Sequence, residues 1–132
     1  MMVLLDTHVW LWWLSSPDVL SKTARAAIDA AATNYAVRVS SISAWEVAML
    51  AHKQRLQLRM PVEDWIGRSE ALPFLRFVPV DNAVAVRSVN LPQPLHPDPA
   101  DRIIVATALL LGAPLVTKDA KLHGFAPLKS VW

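Results

Sequence analysis

The sequence predicts an α/β fold in which helices cover both faces of a parallel sheet. Two observations carry this. Short, almost wholly apolar runs alternate with longer segments of helical spacing. Strands buried on both faces read as such continuous runs rather than as strict alternation. A third observation sets the scale: 132 residues, 54% hydrophobic and 18% charged, suit one domain with one core and exclude a disordered chain.

The elements follow in order. Val3, Leu4 and Leu5 form a short apolar run ended by Asp6, the pattern of a buried strand with a carboxylate at its C-terminal end. Residues 7–14 read as a helix closed by Ser15, Ser16 and Pro17. Residues 21–32 are Ala-rich with Ser21 as N-cap, and 35–39 give a second strand. Ser41 or Ser43 caps a helix through His52, with Ala44, Val47, Ala48 and Ala51 at helical spacing. Met60 and Pro61 open a helix to about Leu72 with proline in its first turn. Residues 75–80 alternate as a third strand, Asp81 caps a helix to about Val89, and the prolines at 92, 94 and 97 mark a loop over 91–97. Asp98-Pro99-Ala100-Asp101 opens the most apolar helix, which ends near Leu111 before Gly112. Residues 114–117 form a fourth strand leading to Asp119, and 128–132 a fifth.

Composition excludes several function classes. With 0 Cys there is no disulfide scaffold, thiol nucleophile or cysteine zinc site. The longest stretch without Asp, Glu, Lys or Arg, 103–117, falls short of the roughly 20 residues that span a bilayer. Asp6 cuts the apolar N-terminus short, so no signal peptide is expected and the cytoplasm is the expected location. No glycine-rich phosphate loop occurs among 3 Gly. The serines at 40, 41 and 43 lack a nucleophile elbow, and the four histidines (His8, His52, His96, His123) lack paired helical spacing.

The acids are unevenly placed. Asp6, Glu46, Asp98, Asp101 and Asp119 follow or interrupt strongly apolar runs, leaving 6 other acids against 13 Lys and Arg. A basic surface around an acidic spot suits a polyanionic partner such as nucleic acid. His52, Lys53, Arg55 and Arg59 make the densest basic stretch. In an open parallel sheet ligands bind beyond the carboxyl ends of the strands, where Asp6 and Asp119 fall. Asp101 in the first turn of its helix and Glu46 in the first turns of its own can join them there. Two carboxylates ~4 Å apart at an effective dielectric of ~20 repel by about 4 kcal/mol. Four together take up protons or bind a cation, and all-oxygen ligands favour Mg²⁺ or Mn²⁺ over Zn²⁺. Asp98, followed by Pro99 and Asp101, also reads as a plain N-cap. Trp10 and Trp13 share a helix face while Trp12 points elsewhere, which leaves one of the three for a contact with another chain.

These residues resemble the four motifs of PIN-domain ribonucleases, in particular the VapC-type toxins of bacterial toxin–antitoxin modules. The matching segments are Leu4-Leu5-Asp6-Thr7-His8-Val9-Trp10, Ser43-Ala44-Trp45-Glu46-Val47-Ala48, the run from Asp98 to Ala108, and Leu115-Val116-Thr117-Lys118-Asp119. The resemblance implies a three-layer α/β/α fold with a central, mainly parallel sheet of four to five strands. It implies Mg²⁺- or Mn²⁺-dependent RNA cleavage, a cognate antitoxin and a homodimer. By this resemblance Asp6, Glu46, Asp101 and Asp119 are the metal-binding catalytic acids, Asp98 an additional acid, Thr117 the hydroxyl that orients them, and Arg102 a contact to substrate or antitoxin. Two other classes compete. One is a catalytically inactive module of the same fold that binds nucleic acid or protein. The other is a phosphate-transfer domain, but a receiver needs paired acids after its first strand, and the dehalogenase-like phosphatase motif needs Asp two residues after Asp6, where His8 stands.

Overall fold

The computed structural model describes residues 1–92 and 98–132. Most of the loop expected over 91–97, with His96, therefore lies outside the described residues. The elements run β1 (Val3–Leu5), α1 (Thr7–Ser15), a 3₁₀ turn (Pro17–Val19), α2 (Lys22–Thr33), β2 (Val37–Ser40), α3 (Ser41–His52), α4 (Val62–Glu70), β3 (Leu75–Val78), α5 (Asn82–Val89), α6 (Pro99–Leu111), β4 (Leu115–Val116), α7 (Ala120–His123) and β5 (Ser130–Val131).

All strand pairs are parallel, in the order β3-β2-β1-β4-β5. The sheet is the middle of three layers, as expected from the apolar runs. Pleating sends successive side chains to opposite faces. Val3 and Leu5 join a cluster with Trp10, Ile28, Val39 and Trp65. Leu4 and Leu115 join the other cluster with Ile104, Val105, Leu122 and Phe125. Register sets the site: Leu5 lies beside both Val39 and Val116, so Asp6, Ser40 and Thr117 leave the sheet at one edge.

Helix ends follow local chemistry. Ser21 accepts from the Ala24 amide, Asp81 from Val84 and Asp98 from Asp101, as their positions predict. Gly112 closes α6 in the left-handed region at φ 64°, where a side chain would be strained. Three details differ from the sequence reading. The cap of α3 is Ser40, whose hydroxyl accepts from the Ile42 amide, because β2 runs into α3 with no intervening loop. Pro61 stands just before α4 rather than within it. The four-residue helix α7 and the 3₁₀ turn are too short to show a period.

The tryptophans divide as their spacing predicts. Trp10 is fully buried, its ring 4.6 Å from Trp65 and 5.4 Å from Phe77. Trp13 meets Phe74 at 5.5 Å. Trp12 turns the other way, toward His8 and Trp132.

Candidate metal centre

Four segments deliver carboxylates to the carboxyl edge of the sheet. Asp6 follows β1 and caps α1; its Oδ1 accepts from the Thr7 amide at 2.9 Å and its Oδ2 from the Thr117 hydroxyl at 2.7 Å. Glu46, on α3, accepts from the Thr7 hydroxyl at 2.6 Å. That hydroxyl has one proton, so the buried Ser43 hydroxyl, 2.8 Å away, donates to it in turn. Asp101 lies in the first turn of α6. Asp119 caps α7, and its own amide donates to Thr117 Oγ1 at 3.0 Å. Asp6, Glu46, Asp98, Asp101 and Asp119 line one cavity of about 530 Å³, together with His8, Trp12 and Lys118.

The electrostatics match this convergence. Burial raises the Asp6 carboxyl above its ordinary range, and Asp119 adds to this; the Thr117 hydroxyl, the Thr7 amide and His8 oppose it. Burial likewise raises Glu46, with Asp6 and Asp98 adding repulsion against the bond from Thr7. Asp101 is pushed up to about 7 by burial and then by Asp6, Asp98, Glu46 and Asp119. Carboxylates that raise one another in this way favour the uptake of protons or of a cation.

The donor set fits a hard divalent cation: several carboxylate oxygens and no thiolate. Among the described residues no three acidic or histidine side chains are gathered tightly enough to hold an ion as they stand.

Supporting residues fall on two sides. Thr117, fully buried, links Asp6 to the Asp119 backbone. His123 braces the same turn. Its Nε2 lies 2.7 Å from the Thr117 carbonyl, which can only accept, so Nε2 carries a proton; Nδ1 is 2.6 Å from the Ser130 hydroxyl. The Arg102 guanidinium donates to the Ser88 and Val89 carbonyls at the end of α5, tying α6 to α5. The reading of the sequence missed Thr7, Ser43 and His123. Thr7 and Ser43 were legible only as small polar residues beside Asp6 and Glu46.

A pH dependence of stability follows. The folded state keeps a proton on Asp101 up to pH about 7, whereas the unfolded carboxyl titrates near 3.8. Between those values the folded state binds more protons at this group, so its contribution to stability is fully present below pH ~4 and is lost as pH rises to about 7. Thermal melts with a chelator present will show this decline, and Asp101→Asn will flatten it. Equal slopes for parent and variant would contradict the assigned environment.

Comparison with known proteins agrees with this geometry. The PIN-domain family profile matches residues 3–126. Ribonuclease VapC22 of Mycobacterium tuberculosis is 42% identical over 121 residues, 92% of this chain and 89% of that protein. Among solved structures, VapBC2 from Rickettsia felis bound to a DNA fragment from its promoter superposes with a TM-score of 0.72 at 16% identity, covering 98% of this chain and 97% of that one. A toxin–antitoxin complex from Klebsiella pneumoniae gives 0.61 at 22% identity, covering 96% and 94%. The structural likenesses carry the fold, and the sequence matches carry the lineage: the chain belongs to the PIN-domain family, in its VapC group.

Proposed function

We propose that this chain is an endoribonuclease, the toxin of a toxin–antitoxin pair, and that it hydrolyses RNA phosphodiester bonds with a divalent metal ion. The observation that carries this is the shared cavity of Asp6, Glu46, Asp98, Asp101 and Asp119. The kinship with a protein named a ribonuclease supports the reaction class. Asp6, Glu46, Asp101 and Asp119 are the residues that would hold Mg²⁺ or Mn²⁺, with Asp98 at the rim. When bound, such an ion neutralises phosphate charge and activates water for in-line attack.

The chain's own groups do the rest. Thr7 and Thr117 fix the Glu46 and Asp6 carboxylates at the cavity that both of them line. The carboxylates together orient the attacking water and take up its proton, since no single residue stands apart as a general base. Kinship with a protein solved in a toxin–antitoxin complex supports an antitoxin partner for this chain too. Membership of the VapC group supports a homodimer. Among the described residues no helix is long and apolar enough to cross a membrane.

The test is metal-dependent cutting. Purified protein incubated with RNA will cleave it with Mg²⁺ or Mn²⁺ and stop on chelation. Addition of the metal alone will raise the melting temperature by several degrees, since an ion at about 100 times its Kd contributes about 2.7 kcal/mol. No cleavage with either ion and no thermal shift would leave the inactive binding module as the correct description.

A further inference from the structure

The metal chemistry leaves one wall of the acidic cavity unused. Six waters of a hydrated cation, at about 30 Å³ each, fill well under half of its 530 Å³. The remaining wall is aromatic and cationic. Lys118 Nζ lies 5.9 Å from the ring centroids of both Trp12 and Trp132, and the His8 ring lies 5.8 Å from Trp12. His8 and Trp12 also line a second cavity of about 330 Å³ that contains Arg55. Through Gln57 and Leu58 this one adjoins two more, which reach His52 and Arg59. The acidic cavity thus shares His8 and Trp12 with a row of neighbouring cavities, together a groove, whose lining includes His52, Arg55 and Arg59. Among the described residues, Glu63 is the one acid lining that groove.

We propose that Trp12 is a substrate-binding residue: it stacks on the base next to the scissile phosphate, Lys118 meets that phosphate, and the single-stranded RNA continues along the groove to Arg55. The proposal rests on the ribonuclease reading and adds the path of the strand. A base offers a π-face to an aromatic ring whatever its identity, while a groove with cationic borders follows the backbone. A lone strand is required, because the bases of a duplex are not free to stack on a side chain. Charge selects RNA over an acid-poor peptide here: the groove supplies Arg55, Arg59 and His52 beside apolar floor residues such as Leu56 and Leu58.

The test measures binding separately from cutting. Affinity for a short labelled single-stranded RNA is read by fluorescence anisotropy in the Asp101→Asn background, with Trp12→Leu, Trp12→Phe and Arg55→Gln added one at a time. Trp12→Leu is expected to weaken binding of every sequence about ten-fold or more, and Trp12→Phe to restore most of it. Arg55→Gln is expected to weaken all sequences alike and to lower the salt slope by about 1. Lys118→Gln, at an exposed position, is expected to weaken binding as well and serves where Trp12→Leu does not fold. Unchanged affinity in a folded Trp12→Leu or Lys118→Gln chain overturns the proposal. Loss of a protein partner with RNA affinity intact overturns it as well, and assigns the groove to that partner. RNA bound through Trp12 but not cut by the parent chain removes the nuclease reading and leaves this one standing.

Discussion

Asp101→Asn is expected to cost at least about 100-fold in RNA cleavage while leaving the folded chain as stable as the parent, or more so, at pH 8. The two effects separate because the residue's charge opposes folding. Its carboxyl is held up to about 7 by burial and by four neighbouring acids, so above that pH an ionised Asp101 sits among like charges. Asparagine keeps the shape and removes the repulsion. Under the proposed function it also removes a ligand oxygen. Loss of a residue that merely orients a ligand costs 10–100-fold in metal affinity or activity, so loss of the ligand itself sets that range as a floor. The measurements are cleavage rate at saturating Mg²⁺ and melting temperature at pH 8. Full cleavage by the variant would remove Asp101 from the metal site. A large loss of stability would show instead that the carboxylate is held by an attraction stronger than the repulsion described.

How much of this was legible beforehand depends on the distance over which each signal acts. Asp6 was legible because an apolar run stops at a carboxylate, at the strand end where an open parallel sheet binds its ligands, although it also caps α1. Glu46 was legible from its apolar flanks with no cation near, although Trp45 beside it is in fact 53% exposed. The Asp98 cap was readable from Pro99 and Asp101 alone, since capping is settled within one turn. The Ser40 cap was not, because the choice among Ser40, Ser41 and Ser43 depends on where β2 stops, which its pairing with β1 and β3 decides. Thr7 and Ser43 were not legible as a pair: their hydroxyls meet across 36 positions, a contact made only once the crossover sets α1 against α3. The same holds for Trp12. Its spacing says that it leaves the face shared by Trp10 and Trp13, but only the packed sheet brings Lys118 and Trp132 to its ring.

The second large effect is expected at Thr117, which touches no substrate. Its hydroxyl donates to Asp6 Oδ2 and accepts from the Asp119 amide, so one oxygen couples the acids of two strand ends. Valine has nearly the same shape and fills the same buried space, so packing is spared and the hydroxyl alone is tested. Thr117→Val leaves the Asp119 amide and one Asp6 oxygen without that partner. An unsatisfied buried group costs about 1–3 kcal/mol, and a freed ligand carboxylate costs about 10–100-fold in metal affinity or activity. Asp6 also loses the strongest influence that holds its carboxyl down, so cleavage by the variant should rise toward higher pH than cleavage by the parent, as a carboxyl that protonates more readily demands. Thr117→Ser keeps the hydroxyl and should recover most of both losses. A purely structural threonine would lower the melting temperature without moving the pH profile or the Mg²⁺ requirement. If the valine variant cuts RNA at the parental rate with an unshifted profile, the Asp6 carboxylate is oriented by the fold alone, and the hydroxyl bridge has no part in holding the metal.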